Sequence, residues 1–416
     1  MITDSRALPL SGASQDQAAA YDMAIAQLAE FRPEVVETAA ALKAAAPRMA
    51  MAHVLDASLA LVSTEAGMLP QLRSALDAAL ALEAGATERE RMHMAALGRW
   101  LARDHRGAAR LYSRITDAYP TDLLAHVIGH QADFLTGRQR ALMDRPAQAL
   151  AAWDPGIPGR HWLHGMHAFG LEENGSYRAA EAAARRALEG SPTDVWAIHA
   201  IAHCCEMEDR RIEGIAFMEG CEADWATPNG LVVHNWWHRA LFHLGIGDEA
   251  SVLAIYDLRV APGPDAMALD LVDASAMLWR LMLKGVDVAD RAACVAEGWD
   301  RVFAPAGAIG HYPFNDVHAA FARVAAGRFG DVEWQVAGLK ARAREGDREA
   351  GAIESIALPL VEAILAFGRG RHGEAAWLLE EVAADAIRLG GSHAQRDVHR
   401  QTLEVARTRR GLLAAA

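Results

Sequence analysis

The chain has 416 residues, 52% of them hydrophobic and 23% charged, with a formal net charge of −13. That length exceeds one ordinary hydrophobic core, so the chain must form several domains or a repeat array. The acidic balance disfavours nucleic acid and anionic membrane surfaces as main partners. The N-terminal stretch MITDSRALPLSGASQDQ has no basic region followed by an apolar core, which speaks against a signal peptide. No apolar run reads as long enough for a membrane span. The four cysteines, Cys204, Cys205, Cys221 and Cys294, form no C-x-x-C pair. Reduced thiols and a cytoplasmic location are therefore the expectation.

The apolar spacing predicts helices throughout, and no alternating Val/Ile/Thr run predicts a sheet. Helices are expected over Asp16–Arg32, after Pro33, over Met49–Ser63, over Leu69–Leu82 and from Glu88 to Arg103. The stretch from Met143 to Arg160 contains three prolines and reads as a crossover loop, as does VAPGPDAMALD from Val260. Residues 1–87 are expected to cap one continuous helical array over 88–416.

The repeat itself is clearest from His161 to Asp194. Gly175, Tyr177, Ala180, Ala184, Ala187 and Pro192 stand where a 34-residue helix-turn-helix unit needs a turn glycine, an aromatic residue, small packing residues and a closing proline. This segment resembles a tetratricopeptide repeat. Weaker copies flank it. Upstream lie Ala96, Ala108, Tyr112, Ile115 and Pro120. Downstream lie Ala202, Gly214, Met218 and Cys221, and turns follow at Gly245, Gly285, Gly327 and Gly370. The resemblance implies an all-α, right-handed solenoid of helix pairs with a concave face built by the first helix of each pair.

The chemistry-bearing stretch is His199-Ala-Ile-Ala-His203-Cys-Cys-Glu206. Residues at spacing 0, 4 and 7 fall within about 60° of one helix face. In the tetratricopeptide frame, Trp196, His199, His203 and Glu206 look into the concave face. Two imidazoles and a carboxylate in line can bind a metal, with His199, His203 and Glu206 as candidate ligands. They can equally line a metal-free catalytic or ligand pocket, or simply face water.

Other polar groups repeat the theme. His126, His130 and Asp133 share the same spacing, His234 and His238 lie one turn apart with Asn235 between them, and His161, His164 and His167 open the best repeat. Glu172 ends that repeat's first helix. Adjacent Trp236 and Trp237 cannot both face a core, so one is expected to line a pocket or lid. Asp257 sits in the apolar LAIYDLRV, where a charge needs a partner. Asp273 lies in LDLVDASAMLW. Asn315, Asp316 and His318 open a helix, where either of the first two can serve as N-cap.

The ordered blocks GMHAFGLEENGSYRAAEAAARRAL, SPTDVWAIHAIAHCCEMEDRR, HNWWHRALFHL, IYDLRV, DLVDASAMLWRLMLKGVDV and FNDVHAAFA together resemble the tetratricopeptide repeat protein 38 family and its bacterial relatives. The resemblance implies an atypical tetratricopeptide solenoid and brings no settled catalytic mechanism.

The expectation is a small-molecule-binding repeat protein. His199, His203, His234, His238, Glu206 and Asp273 are its candidate catalytic groups, for acid/base or metal-assisted chemistry of hydrolase or lyase type. His130, His164, Glu172, Trp196, Asn235, Trp236, Asp257, Asn315, Asp316 and His318 are candidate binding residues. A divalent metal is a possible cofactor, and a homodimer a possible assembly. A scaffold for a protein partner and a non-catalytic ligand carrier are the competing readings.

Overall fold

A computed structural model describes residues 1–415. Among them there is no β-strand, only an isolated bridge between Thr3 and Pro9. The protein is all-α. The chain divides into two compact units, Met1–Ser63 with Met68–Asn235, and Thr64–Gly67 with Trp236–Ala416.

The first unit contains α1 (Gln15–Ala29), α2 (Val35–Ala45), α3 (Ala50–Val62), α4 (Leu69–Leu80), α5 (Glu88–Leu101), α6 (His105–Ala118), α7 (Leu123–Leu135) and α8 (Gln139–Leu150). It continues with α9 (Arg160–Glu172), α10 (Tyr177–Gly190), α11 (Val195–Met207), α12 (Arg211–Gly220) and the single turn α13 (Glu222–Trp225). Helix α14 (Val232–Gly245) starts in this unit and runs on into the second. The second unit holds α15 (Glu249–Ile255), α16 (Ala268–Leu283), α17 (Ala289–Val302), α18 (Pro313–Ala325), α19 (Phe329–Ala343), α20 (Ala350–Ala352), α21 (Leu358–Gly368), α22 (His372–Val382) and α23 (His393–Ala415).

A recurring backbone device joins these helices in pairs. Arg103, Gly137, Gly175, Asp209, Gly247, Gly285, Gly327 and Gly370 all take positive φ, between 57° and 92°. Each follows the first helix of a pair. The next residue's amide donates to the carbonyl five residues back, as in Ser176 to Leu171, Arg210 to Cys205 and Val286 to Leu281. The left-handed residue's own amide donates to the carbonyl three residues back, as in Gly175 to Glu172. This is the Schellman arrangement, which satisfies carbonyls the helix end would otherwise leave open. The connection is only three to five residues long in every such pair.

First helices pack on the first helices of neighbouring pairs. In the first unit α9 contacts α8, α10 and α11, and α3 contacts α5 and α7. In the second, α16 contacts α18, and α18 contacts α21. These helices are therefore buried nearly all round: every residue of α11 from Val195 to Cys205 is buried. Second helices keep one apolar stripe, such as Ala180, Ala183, Ala184 and Ala187 on α10. Close approach sets some residues: a Cβ on Gly170 would stand 2.3 Å from the Leu142 carbonyl oxygen of α8.

Several expectations change here. The stretch 143–160 is not all loop, because α8 runs through Pro146 to Leu150, and only 151–159 is irregular. The turn after α14 is closed by Gly247, while Gly245 is the last helical residue. The continuous helical stretch Ala350–Gly368 has the length and apolar composition of a membrane span, contrary to the sequence reading, because a π-turn fuses two short apolar runs. Within the second unit 61% of it is buried. All four cysteines are free thiols, and burial pushes the Cys204 thiol far above its ordinary range.

Candidate metal centre

Helix α11 is started by Asp194, whose Oδ1 accepts from the amides of Trp196 (3.1 Å) and Ala197 (3.0 Å). The helix then presents His199 and His203 on one face. Both are buried, at 2% and 0% exposure. Helix α14 brings His234, whose ring centroid lies 4.9 Å from that of His199. His238 follows His234 by one turn of the same helix. One ring nitrogen from each of His199, His203, His234 and His238 falls within 4.8 Å of the others. This buried group can hold a metal ion.

The surroundings favour a neutral imidazole at His199. Burial, together with the charges His203 and His234 would carry, holds His199 well below the ordinary histidine range. Neutral imidazole is the form that binds metal. Trp196 stacks on His199 with centroids 4.9 Å apart, and Phe169 meets His203 edge-on at 5.3 Å. Behind His203 stands Glu172, fully buried at the end of α9, with Oε2 3.4 Å from His203 Nδ1. A carboxylate that accepts a hydrogen bond from a ligating histidine orients the ring and raises its basicity, and Glu172 is the group placed nearest to His203 for that part.

Beside the centre lies a narrow crevice of about 10 Å³, lined by Phe31, His130, Trp162, Asp194 and Trp196 among others. His130 is 1% exposed and packs edge-on against Phe169 and Trp196. Neither of its ring nitrogens has a hydrogen-bond partner in the protein. Burial, and then Arg145, pushes its pKa down to about 3.

The structure thus gathers His199, His203, His234, His238, Glu172 and Trp196, with His130 one aromatic layer away. Asn235, on α14, is fully buried. Other candidates go elsewhere. Glu206 is outside the group; its carboxylate pairs with Arg211 at the partly exposed end of α11. His164 sits against Arg160 (Nη1 to Nε2, 3.2 Å), and burial with that neighbour lowers its pKa to about 4. The His126–His130–Asp133 stripe divides: His126 Nε2 bonds the Pro120 carbonyl oxygen at 2.8 Å, and Asp133 pairs with Arg138 and Arg145 at 2.5 Å each.

Asp257 is not deep in the core. It is exposed, and both oxygens meet Arg291 at 2.7 Å. The π-turn Tyr256–Val260 adds a residue to the helix there and rotates Asp257 outward while Tyr256 and Val260 stay buried. Trp236 and Trp237 are both buried, at 6% and 0%. Arg239 and Arg259 cover Trp236, with centroid distances of 5.1 Å and 5.0 Å, so no face is left to open solvent.

The remaining candidates belong to the second unit. Asp273 is fully buried in α16. Tyr312, not Asn315 or Asp316, stands at the N-cap of α18, and Pro313 occupies the first turn. Asn315 Nδ2 donates to the Thr64 carbonyl at 3.2 Å. Asp316 accepts from the Gly310 amide at 3.0 Å and the Gln335 side-chain amide at 3.4 Å. Burial nonetheless pushes its carboxyl up to about 7. His318 Nδ1 donates to the Phe314 carbonyl at 2.8 Å, and burial brings its pKa down to about 4.

Asp194 and Phe31 were absent from the expected site residues. The D-V-W-A-I pattern marks Asp194 as a helix cap, which hides its place in the wall of the crevice. Phe31 comes from the distant α1–α2 turn, and nothing local in the sequence signals it. No protein-family model matches the chain.

Proposed function

We propose that this is a metal-binding helical-repeat protein whose histidine centre serves small-molecule chemistry of hydrolase or lyase type. The observation that carries the reading is the group of four buried imidazoles with their nitrogens within 4.8 Å. Imidazole donors suit zinc, copper, iron and nickel. Tetrahedral zinc–nitrogen bonds of about 2.05 Å put neighbouring nitrogens roughly 3.3 Å apart. Glu172 would hold the ring of His203.

The recurring left-handed turns, spaced 34 to 43 residues apart, and the first-helix packing support a solenoid of tetratricopeptide type. The adjoining crevice, with room for about one water-sized group, would take only a small part of a ligand, and an acidic chain is a poor partner for nucleic acid.

A second reading rests on ligand number. Four protein donors saturate a tetrahedral ion, as in structural zinc sites, whereas an ion taking five or six ligands keeps positions for water or substrate. The identity of the metal therefore separates a catalytic centre from a structural or carrier one.

The test is metal analysis by mass spectrometry of the purified, untagged protein beside His203→Ala. Near-stoichiometric transition metal lost in the variant is the expected result. Metal-free wild-type protein would overturn the metal reading.

A further inference from the structure

The crevice beside the histidines has walls and a charge of a particular kind. Trp162 and Trp196 are buried, at 8% and 7% exposure. Phe31 stacks on Trp196, with centroids 5.3 Å apart and planes at 19°. Three aromatic residues thus line a single narrow space.

Asp194 lines the same space and is 3% exposed. Its Oδ1 caps α11. Its Oδ2 is buried with no hydrogen-bond partner in the protein. No salt bridge joins Asp194 to an Arg, Lys or His among the described residues; the one charged neighbour acting on it is Glu30, of like sign. A Cβ on Gly165 would stand 3.1 Å from Oδ2, so the glycine keeps that oxygen uncovered. Burial pushes this carboxyl up to about 7, so near neutral pH it stands between a neutral acid and a carboxylate that a cation would stabilise.

Aromatic faces attract cations through the ring quadrupole, and aromatic cages with a carboxylate suit ammonium groups. We propose that Phe31, Trp162, Trp196 and Asp194 form a subsite for a small organic cation bearing an amine or ammonium group. This deepens the small-molecule reading above by naming the ligand's class, and it does not depend on a metal being bound.

The space holds about one water-sized group with Phe31 against Trp196. Entry of an ammonium head therefore requires the Phe31 ring to move off Trp196. Phe31 sits in the α1–α2 turn at φ 57°, anchored through its carbonyl, which accepts from the Gly230 amide at 2.7 Å. Its backbone is held while its ring exchanges one aromatic partner for a cation.

The experiment uses the full chain, as purified and after dialysis against EDTA. Binding of methylammonium and tetramethylammonium is measured by calorimetry and saturation-transfer NMR, with tert-butanol as the neutral control. At least one cation should bind tenfold or more tightly than tert-butanol in both preparations. Asp194→Asn retains a capping side chain and should weaken that binding at least tenfold. Trp162→Phe, a milder variant, should weaken it severalfold. Equal binding of tert-butanol, no binding of either cation, or unchanged affinity in a folded Asp194→Asn protein would overturn the proposal. Because the EDTA-treated protein is included, loss of the metal reading and loss of the cation site give different results.

Discussion

Replacing Glu172 by glutamine isolates the carboxylate behind the histidine centre. The side chain keeps its size, but its charge disappears 3.4 Å from His203 Nδ1 in a fully buried place. Loss of such a partner costs about 10- to 100-fold in metal affinity, equivalent to about 1.4–2.7 kcal/mol. The metal-free protein should respond in the opposite sense or not at all, since a neutral amide avoids the cost of burying a charge. Competition titration against a chelator of known zinc affinity reads the first quantity, and thermal unfolding of the EDTA-treated protein reads the second. The expected pattern is weaker metal binding with apo stability unchanged or raised. Equal zinc affinity in Glu172→Gln and wild type would refute the orienting role. A parallel fall in apo stability would show that Glu172 is a packing residue.

Two further expectations concern the fold. Arg103 adopts a left-handed backbone at φ 57°, so Arg103→Gly should raise stability by roughly 0.5–1 kcal/mol, while Gly175→Ala at φ 76° should lower it by about 1–2 kcal/mol; denaturant midpoints that move together would refute the assignment. The Asp316 carboxyl, at about 7 in the folded chain against 3.8 unfolded, holds its proton through that interval. The folded state then binds more protons, so its contribution falls as pH rises from about 4 to 7 and is flat above. The stability difference between Asp316→Asn and wild type should therefore grow over that window by a few kcal/mol; a pH-independent difference would count against the raised carboxyl.

The helices were legible because their apolar spacing is long and regular, and Gly175 marked the clearest joint. Arg103 and Asp209 occupy the same kind of joint without glycine. Their conformation is imposed by the amide bonds back into α5 and α11, which no residue type advertises. His199 and His203 could be paired from spacing alone, since one helix carries both. Glu206 shares their stripe but ends at Arg211, because a partly exposed helix end offers a nearer cation. Asp257 departs from its expected place for a different reason. Helical periodicity assumes a uniform turn, and one π-turn shifts every later residue.

The joint within a helix pair is three to five residues, whereas the segment leading to the next pair is four residues at 119–122 but ten at 303–312 and eleven at 221–231. Length variation is therefore confined to one class of connection. Each pair closes with contacts only a few residues apart in sequence, so it can form early and locally. Away from bonded positions such as Gly230 and Gly310, the longer connections are the places where a tag, a protease site or a foreign loop can be spliced in with little loss, because no Schellman cap depends on their length. The same insertion at a Schellman joint would break the pair itself.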